Sequence, residues 1–161
     1  MFNLKAEFYL KIIFLFSFIA LISAFFIEYI LGHQPWNLCL IERIPYGLSI
    51  MIIMAIFLIR KNQKFLVMLL ILTFIFSFAI SFYHFGIEQG FFQESSVCGV
   101  KSSTEIVTKE DLLKQLSEKT ISCKDVTFRI FGLSLTSINI VISLLFITTL
   151  LKIFKKYEKN K

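Results

Sequence analysis

The chain has 161 residues, 57% of them hydrophobic, and a net charge of +6, with a mean hydropathy of +0.77. That hydropathy excludes an ordinary soluble domain and points to an integral membrane protein. The basic residues hug the ends of apolar runs and form no groove with interleaved aromatics, so the charge does not indicate nucleic-acid binding.

Four apolar runs, at about 10–31, 44–59, 65–83 and 130–151, approach the roughly 20 residues that cross a bilayer core, the second being short. They lack the alternation of barrel strands, and only helices or closed barrels satisfy their backbone in lipid. The expected fold is an all-α membrane protein, one four-transmembrane-helix domain over 1–161, with outer loops at about 32–43 and 84–129. Lys5, Lys11, Arg60, Lys61, Lys64, Lys152, Lys155, Lys156, Lys159 and Lys161 all flank one side of such a bundle. The positive-inside rule makes that side cytoplasmic, with both termini. Cys39, Cys98 and Cys123 then lie on the other side, for a bacterial inner membrane the periplasm, where disulfides persist.

In the first run Lys11 lies about a turn from the end, close enough to reach the interface. The length of the run and the lack of a small-residue cleavage pattern argue against a removed signal peptide. Glu28, near the outer end, reads either as an interfacial carboxylate or as a partner for Arg43. Tyr29 and Trp36 suit the aromatic belt at the headgroups.

Next comes P-W-N-L-C-L-I-E-R-I-P-Y, Pro35 to Tyr46. Arg43 is permanently charged, and near hydrocarbon it needs a partner or the interface. Cys39 precedes it by four residues, so a helix would put both on one face. Pro45 leaves two alternatives. A helix starting there has proline at its first position and leaves Cys39 and Arg43 in the loop; one starting near Asn37 encloses the proline and is kinked by it.

The third run ends in Y-H-F-G-I-E-Q-G, which places His84 at its outer end as a bonded interfacial residue or a ligand. In the long loop, T-K-E-D-L-L-K-Q-L-S-E-K carries a helix start: Thr108 caps, Asp111 completes a capping box, and Val107 staples to Leu112. Leu112, Leu113 and Leu116 form a stripe, which predicts a short amphipathic helix lying on the membrane surface or packed on the bundle. Cys98 and Cys123 bracket it. A structural bridge between them would contribute roughly 3 to 3.5 kcal/mol in the chain-entropy model, and the odd third cysteine is left over. The fourth run opens F-R-I-F-G-L-S-L-T-S-I-N, with Arg129 at its boundary and Ser134, Thr136, Ser137 and Asn139 offering helix–helix hydrogen bonds rather than catalysis.

Outward cysteines, one of them beside an arginine at the lipid surface, suggest thiol chemistry coupled to an electron acceptor dissolved in the bilayer. A quinone is such an acceptor, and Arg43 would hydrogen-bond its carbonyl oxygen and stabilise charge that develops on reduction. A haem protein would need axial histidines facing each other, whereas His33 and His84 both fall at the rim.

These motifs resemble the DsbB family of disulfide-bond formation proteins, whose first outer loop has a proline followed by C-x-L-C-x-x-[QE]-R; here the stretch reads P-W-N-L-C-L-I-E-R. Y-H-F-G-I-E-Q-G and C-K-D-V-T-F-R-I-F-G-L-S-L are similar to the family's second-loop borders. The resemblance implies a relay from a periplasmic DsbA-like thioredoxin-fold oxidase to Cys98 and Cys123, then to the first-loop pair, then to ubiquinone or menaquinone. It makes Cys39 the quinone-proximal cysteine, Arg43 the quinone-contacting arginine and His84 a polar group near the ring, with no metal. The departure is Trp36, where the family has the first cysteine of its pair. The chain is then an inactivated variant, a relative that keeps only the fold, or one in which Cys39 exchanges directly with Cys98 or Cys123 and a thiolate–quinone adduct is the exit. The other class is a non-enzymatic membrane interaction protein with a structural Cys98–Cys123 bridge.

Overall fold

The computed structural model of the chain describes residues 4–32, 37–59, 62–93, 129–130 and 133–159. Four helices dominate them: α1 (Leu4–Tyr29), α2 (Asn37–Leu58), α3 (Gln63–Glu88) and α4 (Leu135–Lys159). Each contains a window long and apolar enough to cross a membrane, in agreement with the four runs. At 1.5 Å per residue α1 is about 39 Å long, more than the roughly 30 Å of hydrocarbon it has to cross.

α3 is the central helix, packed against both α2 and α4, whereas α1 leans mainly on α2. The interior is apolar where the helices meet, around Leu10, Ile13, Ile53, Ile56, Val67, Leu70, Phe74 and Leu150. Through it runs a line of edge-to-face rings, Phe16 to Phe146 to Phe74 to Tyr46, with centroids 5.4, 5.0 and 6.4 Å apart, the arrangement that aromatic quadrupoles favour. Large apolar side chains such as Phe8, Leu15, Phe18, Met51, Phe76 and Leu145 point outward. In water so much exposed apolar surface would aggregate; in hydrocarbon it is the lipid-facing surface.

Both terminal helices meet at one end. Ala6 and Leu10 of α1 share a core cluster with Leu150 and Ile153 of α4, and Lys64, at the start of α3, places Nζ 5.1 Å from the centre of the Phe154 ring. Cys39, His84 and Ser134 lie towards the opposite end.

The helices start or end away from the limits of the expected runs: α1 begins at Leu4 rather than about 10, and α4 runs to Lys159 rather than about 151. The α2 helix begins at Asn37, ahead of the run at 44–59, so residues 37–43 are helix rather than loop and Pro45 is enclosed, buried in the bundle. Proline leaves the carbonyl of Ile41 without its usual amide, a loss membrane helices tolerate where neighbours or side chains compensate. The α3 helix passes 83 and ends at Glu88 in a Schellman closure, with Gly90 at φ +77°, its N–H on the Ile87 carbonyl and the Phe91 N–H on the Gly86 carbonyl. Finally, α4 starts at Leu135, not at 130. Arg129–Ile130 (β1) pairs antiparallel with Leu133–Ser134 (β2), and Ser134 Oγ accepts the Ser137 N–H at 3.2 Å. Ser134 is thus an N-cap and bonds Ser137 within one helix end, not across helices. The predicted amphipathic helix lies outside the described residues.

Candidate functional site

The site is built on one stripe of α2. Residues 39, 42, 43 and 46 are three or four apart and so share a face, and the two middle ones bear opposite charges. Arg43 turns towards α1: its Nη1 donates to Glu28 Oε2, and its guanidinium carbon lies 5.4 Å from the centre of the Phe25 ring. Phe25 in turn stacks on Tyr29, 6.2 Å between centroids. The pairing of Glu28 with Arg43 is therefore the one formed, and it meets the need of a cation at the lipid boundary for a counter-charge.

Glu42 turns the other way, towards α3 and α4. Its Oε1 is 3.0 Å from His84 Nδ1 and its Oε2 3.5 Å from Asn139 Nδ2. His84 Nε2 lies 3.9 Å from Glu88 Oε1, one turn further along α3. Thr136 of α4 donates to Glu88 Oε1 at 2.7 Å, with its hydroxyl 3.5 Å from His84 Nδ1. Asn139 also donates to Ser81 at 2.7 Å and accepts from the Tyr46 hydroxyl. Two carboxyl groups, an imidazole, an amide and three hydroxyls thus interlock three helices.

Cys39 is half-buried in the first turn of α2. Backbone N–H groups there have no helical acceptors, and negative charge at a helix start is favoured by the dipole. Its neighbour Leu38 is buried against Ile87, with Ile41 and Tyr83 around them. This contact sets Cys39 and Glu88, the residues next to each, at one level of the bundle.

Of the residues expected at a site, Cys39, Arg43 and His84 are all at this end. Arg43 and His84 lie on opposite flanks of the α2 stripe, linked through the adjacent Glu42. His84 lies one turn before the end of α3 and faces the bundle interior, 1% exposed, between Glu42 of α2 and Thr136 of α4. Cys98, Cys123, Trp36 and His33 lie outside the described residues. The helix–helix hydrogen bonds expected of Thr136 and Asn139 are formed, to Glu88 and Ser81; Glu42 and Glu88 are the parts of the cluster the sequence reading does not single out. The available signal was spacing: Glu88 is four residues after His84, and Glu42 three after Cys39.

Residues 6–153 match the profile of the family described as Disulfide bond formation protein DsbB. An uncharacterized protein of Rickettsia prowazekii (strain Madrid E) is 32% identical over 130 residues, which span 80% of this chain and 76% of that relative. No solved structure matches the chain at a significant level.

Proposed function

The chain belongs to the DsbB family of disulfide bond formation proteins, and from that premise we propose that it is a quinone-linked thiol oxidoreductase of a bacterial inner membrane. Membership makes it a multi-pass membrane protein of disulfide formation with oxidoreductase chemistry. In our reading both termini are cytoplasmic and the cysteines periplasmic. A DsbA-like thioredoxin-fold oxidase gives its electrons to the Cys98–Cys123 disulfide, the family relay would pass them to a first-loop disulfide of which Cys39 is the one cysteine present, and ubiquinone or menaquinone would receive them.

The observation that carries the reading is the α2 stripe, with a half-buried thiol and a paired guanidinium one turn apart at the membrane boundary. The surrounding residues fit a quinone. Leu38, Ile41, Tyr83 and Ile87 supply apolar walls, and Arg43 has guanidinium N–H groups beyond the one that Glu28 takes. Glu88 Oε2 is a buried oxygen with no hydrogen-bond partner among the described residues. A quinone bound there supplies a two-electron oxidant for thiols. Arg43, oriented by Glu28 and Phe25, holds a ring oxygen and favours negative charge on it. His84, engaged with Glu42, backs the site from within.

Trp36 breaks the relay at one point. Tryptophan forms no disulfide, so Cys39 lacks the loop partner that the family pattern provides, and electron flow into it is impaired. The test is to incubate the purified full chain with a reduced thioredoxin-fold oxidase and ubiquinone and to follow the quinone absorbance. The expected result is little turnover by the native chain and restored turnover by Trp36→Cys. Absence of turnover in both would favour the second reading, for which Trp36 is also the motive: a non-enzymatic interaction protein stabilised by a Cys98–Cys123 bridge.

A further inference from the structure

One carboxyl oxygen of the polar cluster takes no part in its hydrogen bonds. Glu88 has a side chain only 4% exposed. Its Oε1 takes the Thr136 hydroxyl at 2.7 Å, and its Oε2 is buried without a hydrogen-bond partner among the described residues. A buried carboxyl oxygen left so is destabilising, because its desolvation is not repaid, so an arrangement that preserves it points to a ligand group that completes it. We propose that Glu88 is the proton donor to the quinone, resting this on the reading that a quinone binds beside Cys39.

The two forms of a carboxyl group match the two forms of that ligand. As the acid, Glu88 Oε2–H donates a hydrogen bond to a ring carbonyl oxygen; as the carboxylate, Oε2 accepts one from the hydroxyl that results. Thr136 fixes which oxygen does this, because its O–H occupies Oε1 and leaves Oε2 to carry the proton. Oxidation of two thiols to a disulfide yields two electrons and two protons, the sum that turns a quinone into its hydroquinone. Glu88 gives its proton to one ring oxygen and is left a carboxylate. One thiol proton restores the Glu88 acid and the other goes to the second ring oxygen, so nothing is left over. His84, with Nδ1 3.0 Å from Glu42 Oε1 and Nε2 3.9 Å from Glu88 Oε1, stands between the carboxyl groups and positions them for this return. The Leu38–Ile87 contact keeps Glu88 level with the sulfur whose oxidation frees the protons.

The experiment supplies electrons from an electrode, so that the thiol relay and Trp36 play no part; Glu88 then gives one of the hydroquinone's two protons and water the other, with no thiol proton to restore the Glu88 acid. The full chain in lipid nanodiscs is loaded with ubiquinone and reduced, and the infrared difference spectrum is recorded in H2O and in D2O. The expected result is loss of a deuterium-sensitive carboxylic-acid carbonyl band on reduction. That band is absent in Glu88→Gln, shifted in Glu88→Asp, and unchanged in Glu7→Gln, which alters a carboxyl in the first turn of α1 at the opposite end. In a Trp36→Cys background, Glu88→Gln is also expected to slow quinone reduction about 10²-fold, the lower range for loss of a general acid, while ubiquinone still titrates. A band that persists in Glu88→Gln, or quinone reduction in the native chain with no carboxyl band, overturns the assignment and leaves quinone binding standing. Failure of the native chain to retain ubiquinone overturns the quinone reading and this inference with it.

Discussion

Glu28 and Arg43 are 22% and 17% exposed, too wet for the full penalty of a buried ion pair and too dry for either to be left alone at no cost. The pair gains from the Phe25 face beneath the guanidinium, a cation–π contact of about 0.5–2 kcal/mol. Removing Arg43 should therefore act on ligand more than on fold. Arg43→Ala is expected to weaken ubiquinone binding about 10-fold or more, from a charged hydrogen bond worth roughly 1.5–3 kcal/mol, while circular dichroism still reports a four-helix chain. An unchanged ubiquinone titration would remove Arg43 from the site. Glu28→Gln keeps the shape but not the charge, and it should lower the affinity less than Arg43→Ala, because the guanidinium remains and only its orientation is loosened. Equal losses in the two variants would mean that Glu28 itself touches the ring.

The helices are tied by side chains of unequal weight. Ser17 and Ser49 join α1 to α2 by one contact of 3.0 Å, and Ser77 with Ser143 joins α3 to α4 at 3.2 Å; single bonds of this kind average about 0.6 kcal/mol in membrane bundles. Asn139 is different. It bonds Ser81, Glu42 and Tyr46 together, so Asn139→Leu strands a carboxyl and a phenol in the interior. It should cost about 2 kcal/mol or more, against the smaller loss for Ser17→Ala, as measured by unfolding in mixed micelles. A second weak point is the end of α3, where the Phe92 ring lies over Gly86. A Cβ at Gly86 would come within 2.1 Å of that ring, which stacks on Tyr83 at 5.7 Å. Gly86→Ala should lift Phe92 off the helix and cost about 1–3 kcal/mol, as overpacking does; unchanged stability would show that the ring yields freely. The apolar runs announced the helices because an uninterrupted stretch of Phe, Ile and Leu has few other fates in lipid. The ends were less legible. N-L-C-L-I-E-R-I-P-Y mixes charge, thiol and proline, and it becomes helix only because α1 offers Glu28 to Arg43 while α3 and α4 offer His84 and Asn139 to Glu42. Those are contacts across the chain that local spacing does not encode. Cys39 and Arg43 could be paired by counting four residues along one helix, whereas Glu88 acquires its meaning only from Thr136, 48 positions away.

At the scale of the whole molecule, the sorting of charge matches the sorting of chemistry. Lys64 meets Phe154 at the end where Ala6 and Ile153 pack, and Lys152, Lys155 and Lys156 decorate the same end of α4. The thiol of Cys39, the Arg43 pair and the cluster around His84 occupy the other. The orientation proposed above is the one that obeys the positive-inside rule for a bundle of this polarity, with the lysine end in the cytoplasm. Thiol labelling of intact cells tests it. A membrane-impermeant maleimide should reach Cys98 and Cys123 after mild reduction without opening the inner membrane, while a cysteine placed at the other end by Lys155→Cys should react only once that membrane is permeabilised. Cys39, half-buried in the first turn of α2, should react more slowly than the loop cysteines from the same side, and bound quinone should slow it further. The reverse pattern, with Lys155→Cys labelled from outside and the loop cysteines protected, would invert the bundle. It would also put Cys39 out of reach of any periplasmic thiol partner, because a relay of thiol exchanges requires every sulfur on one side of the membrane.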